Sequence, residues 1–108
     1  MENIRKYTYF EIRKKAKVVE IEPISSEIND QIINELRSVL AMAFYETNRH
    51  VKLEMSKFES LPFSVVEKLI KFAMDLREKN RVFILSKPSP QIRKYIRTFS
   101  LDELLLIL

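Results

Sequence analysis

Glycine and cysteine are both absent from the 108 residues. A chain without glycine has no P-loop and no glycine-rich dinucleotide loop, because both need residues lacking a Cβ so that backbone can approach phosphate. Any position at positive φ must then fall to another residue, and Asn carries the smallest penalty. A chain without cysteine has no disulfide, no thiolate metal site and no cysteine nucleophile. Histidine occurs once, at His50. A zinc site needs at least three converging ligands, so His50 reads as a solvated residue at a strand end, and no metal or cofactor is expected. Long apolar runs are lacking as well. The first fifteen residues, MENIRKYTYFEIRKK, hold no apolar signal core. No run approaches the ~20 residues that span a bilayer, and the closing LDELLLIL carries two acids. The expectation is a cytoplasmic protein without membrane insertion. Dense basic stripes are missing too. The net charge is +4, but acids and bases are interspersed, and Arg13-Lys14-Lys15 is the only run of three bases. A nucleic-acid partner is not expected from that pattern.

What is present is an ordinary globular balance, with 46% hydrophobic and 31% charged residues. The length predicts one domain over residues 1–108. Thr8, Phe10 and Ile12 alternate with Tyr7, Tyr9 and Glu11, the period of a half-buried strand. A polar connection over residues 13–17 leads to a second strand, where Val19 and Ile21 alternate with Glu20 and Glu22. Asn29 is placed to cap a helix reaching about Thr47, with Ile32, Leu36, Val39, Leu40 and Ala43 as its apolar stripe. Asn48 and Asn80 stand where left-handed residues would end the first two helices. Residues 50–56 form a third strand, with Val51, Leu53 and Met55 on one face and Lys52 and Glu54 on the other. A second helix is expected over residues 64–79, buried through Val66, Leu69, Ile70, Ala73 and Leu76. Val82-Phe83-Ile84-Leu85 reads as a strand buried on both faces. Ser89 caps a third helix with Pro90 at its first position. Ile92, Tyr95, Ile96 and Phe99 form that helix's inner face, and Arg93, Lys94 and Arg97 its outer one. Residues 104–108 close with a short strand.

The order β-β-α-β-α-β-α-β implies an α/β fold: a mainly parallel sheet of about five strands that begins with a β-hairpin. Glu20, Glu22, Lys52 and Glu54 cannot face a dry layer without a desolvation cost. The helices are therefore expected mostly on one face, with the other at least partly wet.

After the third strand the chain reads Glu54-Met55-Ser56-Lys57, Phe58-Glu59-Ser60-Leu61, then Pro62-Phe63-Ser64-Val65. This resembles, without a gap, the Asp-Leu-Ser-Gly, spacer and Asp-Ser-Ser-Gly of the STAS domain family, the fold of bacterial anti-sigma-factor antagonists. Ser26-Glu27-Ile28-Asn29 is similar to the family's Gly-x-Leu-Asp, and Ser89-Pro90 with the helix and strand after it is similar to its C-terminal part. The resemblance implies a regulatory protein-binding module whose partner is an anti-sigma factor or a kinase-like protein. It further implies that Ser64 matches the serine the antagonists present for phosphorylation. Pro62, Phe63 and Val65 depart from the pattern's Asp, Ser and Gly, which identifies the chain as a diverged member. A STAS-like accessory subunit of a transport ATPase and a small-ligand-binding protein are the alternatives.

The candidate contact residues are Ser60, Leu61, Pro62, Phe63, Ser64, Val65 and Glu67. Each has a plainer reading beside the functional one. Ser64-Val65-Val66-Glu67 has the form of a capping box, in which the hydroxyl only caps the helix. Phe63 is either an exposed apolar anchor or a staple packed on the next turn. Glu54 and Glu59 have no electrophilic partner in the pattern, so they read as a sheet-face residue and a loop residue. No acid–base or nucleophile constellation supports catalysis, and an enzyme is not expected.

Overall fold

The computed structural model describes residues 3–108. Period-two alternation sorts the strand residues onto two faces. Phe10 and Ile12 in β2 (Phe10–Lys14), Val19 and Ile21 in β3 (Val18–Pro23), Val51 and Leu53 in β4 (His50–Glu54), and Phe83 and Leu85 in β5 (Phe83–Ser86) are all buried. Glu11, Arg13, Glu20, Glu22, Lys52 and Glu54 lie between them and stay half-buried or exposed. The helices thus cover one face and leave the other wet, as the charges required. Ion pairs lace the wet face: Arg13 to Glu11 at 2.8 Å, Lys15 to Glu20 at 3.1 Å and Lys52 to Glu20 at 3.9 Å.

Among the described residues the sheet has six strands in sequence order. β1 (Asn3–Lys6), β2 and β3 pair antiparallel, and β4, β5 and β6 (Leu106–Ile107) continue parallel. That is one strand more than the alternation suggested. The expected first strand begins later than read, at Phe10, because the chain turns at residues 7–9. That turn is tied to α1 (Asp30–Tyr45): the Tyr9 amide donates to both Glu35 carboxylate oxygens at 3.1 and 3.2 Å, and the Tyr9 hydroxyl meets Gln31 Oε1 at 2.6 Å.

The first helix keeps its expected start, since Asn29 Oδ1 accepts from the Ile32 amide at 2.9 Å. Its stop is different. Asn48 does not have positive φ, whereas Asn80 does, at 58°. The reason is Arg81, which the sequence reading passed over. Its guanidinium donates to the carbonyls of Ala43 (2.9 Å), Phe44 (3.0 Å) and Arg49 (2.7 Å) and to Thr47 Oγ1 (3.2 Å). The last carbonyls of α1 are satisfied by a side chain, so no left-handed residue is needed to turn amides back onto them. Burial pulls the Arg81 pKa below the ordinary arginine value, but an arginine stays charged at any working pH.

Two further expectations are corrected. The strand at residues 82–85 is not buried on both faces. Val82 is exposed and Ile84 half-buried, because both look onto the wet face. The remaining positive-φ positions are Lys87 and Ser100, both at 54°. Neither is Asn, so tight connections override residue preference there.

Candidate functional site

In parallel β4 and β5 the strand ends coincide, which brings the connections that follow them to one edge of the sheet. The Met55 amide donates to the Ser86 carbonyl at 2.8 Å. One connection, residues 55–62, leads into α2 (Phe63–Glu78); the other, residues 87–89, leads into α3 (Pro90–Thr98). Ser89 joins them. Its hydroxyl oxygen accepts from the Ile92 amide at 3.2 Å, capping α3, and donates to the Glu59 carbonyl at 2.5 Å. Phe58 is buried and its amide bonds the Met55 carbonyl at 3.0 Å, which folds the long connection back on itself. Lys57 fastens the same connection to the end of β3 through the Ile24 carbonyl, at 3.1 Å.

The sequence placed the start of α2 one residue late. Pro62, at φ −58°, occupies the N-cap position, and its carbonyl accepts from the Val65 and Val66 amides at 3.0 and 3.2 Å. Proline's ring holds φ near this value without strain, so the helix begins at Phe63. Ser64 is therefore not the cap, and no side chain caps this helix. Ser64 lies exposed in the first turn, where a helix carries positive partial charge and an added phosphate would be favoured.

Ser60, Pro62, Phe63, Ser64 and Glu67 are exposed, and Leu61 is half-buried. Val65 is not part of this surface. It is buried, because the core stripe of α2 runs through Val65, Leu69, Phe72, Ala73 and Leu76. Val66 and Ile70, which the sequence reading put in that stripe, are half-buried and turn toward α3.

Two features here were not foreseen. Phe99, expected on the inner face of α3, is 56% exposed, and Phe63 is 58% exposed. Tyr95 stands between them. Its ring lies 6.1 Å from that of Phe63 and 4.6 Å from that of Phe99. The three rings form an aromatic ladder that crosses from α2 to α3 beside Ser64. The Tyr95–Phe99 spacing of i,i+4 was a usable signal in the sequence; the Phe63 contact, between different helices, was not. The second feature is a pocket of about 140 Å³ between α2 and α3, lined almost wholly by apolar side chains and including Leu61 and Tyr95.

His50 lies away from this edge. It is half-buried, and its Nδ1 accepts from the Val82 amide at 3.0 Å. Among the described residues no group of three or more His, Asp or Glu side chains could hold a metal ion, and no helix is long and apolar enough to cross a membrane.

The sequence model of the STAS domain matches residues 9–107. No curated protein sequence matches the chain. Solved structures do. An anti-sigma-factor antagonist (STAS) domain protein from Planctomyces limnophilus is 19% identical, with a TM-score of 0.76 over 91% of this chain and 87% of its own. A putative anti-sigma factor antagonist from Thermotoga maritima is 18% identical, with a TM-score of 0.77 over 91% of this chain and 84% of its own. The anti-sigma factor antagonist SpoIIAA, in its unphosphorylated form, is 16% identical, with a TM-score of 0.68 over 100% of this chain and 88% of its own. The strand order, the capped helices and the family match over residues 9–107 agree: the chain belongs to the STAS domain family.

Proposed function

We propose that this chain is a single cytoplasmic regulatory module that docks a protein partner, without catalysing a reaction, through the start of α2 and the facing side of α3. The observation that carries this reading is the aromatic ladder. Phe63 and Phe99 are each more than half exposed on a face that also presents Pro62, Ser64 and Glu67. Aromatic side chains held by neighbours lose little entropy on binding and often dominate interface energy. Ser89 holds the connection rigid by bonding the Glu59 carbonyl while capping α3. The anti-sigma-factor antagonists that share the fold make an anti-sigma factor or a related kinase-like protein the partner to look for first.

Docking here is constitutive rather than gated by phosphate. Pro62 removes the carboxylate that the family pattern carries, and it also removes a backbone donor. Phe63 places an apolar ring where the pattern has a small hydroxyl. Ser64 remains accessible to a kinase by position, so the gated form is the outcome that would replace this reading. The test is affinity capture from the source cell with wild type, Phe63→Ala and Ser64→Ala, followed by incubation with the captured partner and ATP. A partner kept by wild type and Ser64→Ala but lost by Phe63→Ala supports constitutive docking through the ladder. Stoichiometric phosphate on wild type, absent from Ser64→Ala, establishes the gated form. If both variants keep the partner, this face is not the interface.

A further inference from the structure

We propose that the pocket between α2 and α3 binds a small neutral ring compound bearing one hydrogen-bonding group, anchored by the Tyr95 hydroxyl. Two independent observations point there. The first is the cavity itself. Its volume is about 140 Å³, close to the roughly 150 Å³ of an engineered apolar cavity that takes up benzene. Its aliphatic wall comes from Met55, Leu69, Leu85, Ile92, Ile96 and Leu105, most of them on α2, α3 and the sheet. The second is an unmet polar group. Tyr95 lines this pocket, and its hydroxyl is the one buried side-chain polar atom without a hydrogen-bond partner among the described residues. A buried hydroxyl left unpaired keeps its full desolvation penalty. A ligand that supplies the missing partner removes that penalty, so binding is favoured beyond what burial of its apolar surface provides.

The lining also defines what does not fit. No charged side chain lines the pocket, so an ion would lose its hydration without compensation. A long acyl chain exceeds the volume. A pure hydrocarbon fits the wall but leaves Tyr95 unsatisfied. Ser60 and Gln91, the other polar lining residues, are exposed and sit toward the rim. The class that remains is a phenol or a small cyclic alcohol or carbonyl compound. This site does not depend on the docking reading, because it needs no protein partner and is measured on the chain alone.

The experiment is a methyl NMR titration of the full chain with phenol and with toluene, which have the same number of heavy atoms. Saturating shifts are expected at the methyls of Leu69, Ile92, Ile96 and Leu105, with phenol binding at least as tightly as toluene although toluene is the more hydrophobic. Tyr95→Phe should weaken phenol by roughly two- to tenfold, the worth of one hydrogen bond, and leave toluene unchanged or tighter. Ile70→Phe, which fills the pocket from α2, should abolish both. Absence of saturating shifts with either compound at millimolar concentration overturns the proposal. So does Tyr95→Phe binding phenol as well as wild type, since an ordered water would then already satisfy the hydroxyl. Should Tyr95→Phe misfold, the wild-type ranking decides, and toluene binding more tightly than phenol refutes the anchor.

Discussion

Replacing Arg81 with Met removes the charge that closes the C-terminus of α1 while keeping a side chain of similar reach. Arg81 is 7% exposed and makes four hydrogen bonds, to Ala43, Phe44, Arg49 and Thr47. Their loss is unequal. The Ala43 carbonyl keeps the Thr47 hydroxyl at 2.7 Å, so it stays satisfied. The carbonyls of Phe44 and Arg49 lose the guanidinium, and an unsatisfied buried acceptor costs about 1–3 kcal/mol. Both residues are half-buried, so water reaches them in part and the lower half of that range applies. Removing the guanidinium also removes its own desolvation cost, which offsets some of the loss. The net expectation is a destabilisation of about 2–3 kcal/mol. At a urea m-value of roughly 1.5 kcal/mol/M for a domain of this size, the midpoint falls by about 1.5–2 M. Arg81→Lys should lie between the two, because one ammonium cannot reach all four acceptors together. A midpoint for Arg81→Met within ~0.3 M of wild type, on an unchanged m-value, would refute the claim that this side chain replaces a glycine-type helix stop.

Other expectations follow from the caps and turns. Pro62→Asp supplies the side-chain acceptor and first-turn acid that α2 lacks, and should stabilise by about 0.5–1 kcal/mol in thermal unfolding. Ser89→Ala removes both the α3 cap and the bond to Glu59; a loss of about 1–2 kcal/mol should come with faster amide exchange over residues 57–61. Ser100→Gly relieves a left-handed backbone at φ 54° and should stabilise by about 0.5–1 kcal/mol. Ser64→Ala should change stability by less than about 0.5 kcal/mol, because its hydroxyl caps nothing in α2. A larger loss would mean that Ser64 is structural.

The parts of the fold legible in the sequence were those set by neighbours along the chain. Phe10/Ile12, Val19/Ile21 and Val51/Leu53 declare a buried face because side chains alternate every second residue. Asn29 and Ser89 were readable as caps because each bonds an amide three residues ahead. What escaped depends on contacts far apart in sequence. Asn48 was expected to be left-handed, but Arg81 takes the carbonyls of Ala43 and Phe44 from 38 and 37 residues away. The apolar run 82–85 hid the exposure of Val82, since hydrophobicity alone does not say which face is covered. The candidate loop was located through the spacing from Glu54 to Val65, yet its shape was not. Pro62 moved the helix start back by one residue, which took Ser64 out of the cap and turned Val65 into the core. The ladder of Phe63, Tyr95 and Phe99 needs two helices side by side, and the pocket beneath it has no local signature at all.

The central claim is that the start of α2 and the facing side of α3 form one docking surface. Hydrogen–deuterium exchange of the chain alone and saturated with its captured partner tests it most directly, because every element is read in a single measurement. The account predicts added protection over residues 59–67 and 91–99, with exchange of β2 and β3 unchanged. Protection confined to the charged sheet face formed by Glu11, Arg13, Glu20 and Lys52, with residues 59–67 unaffected, would contradict it.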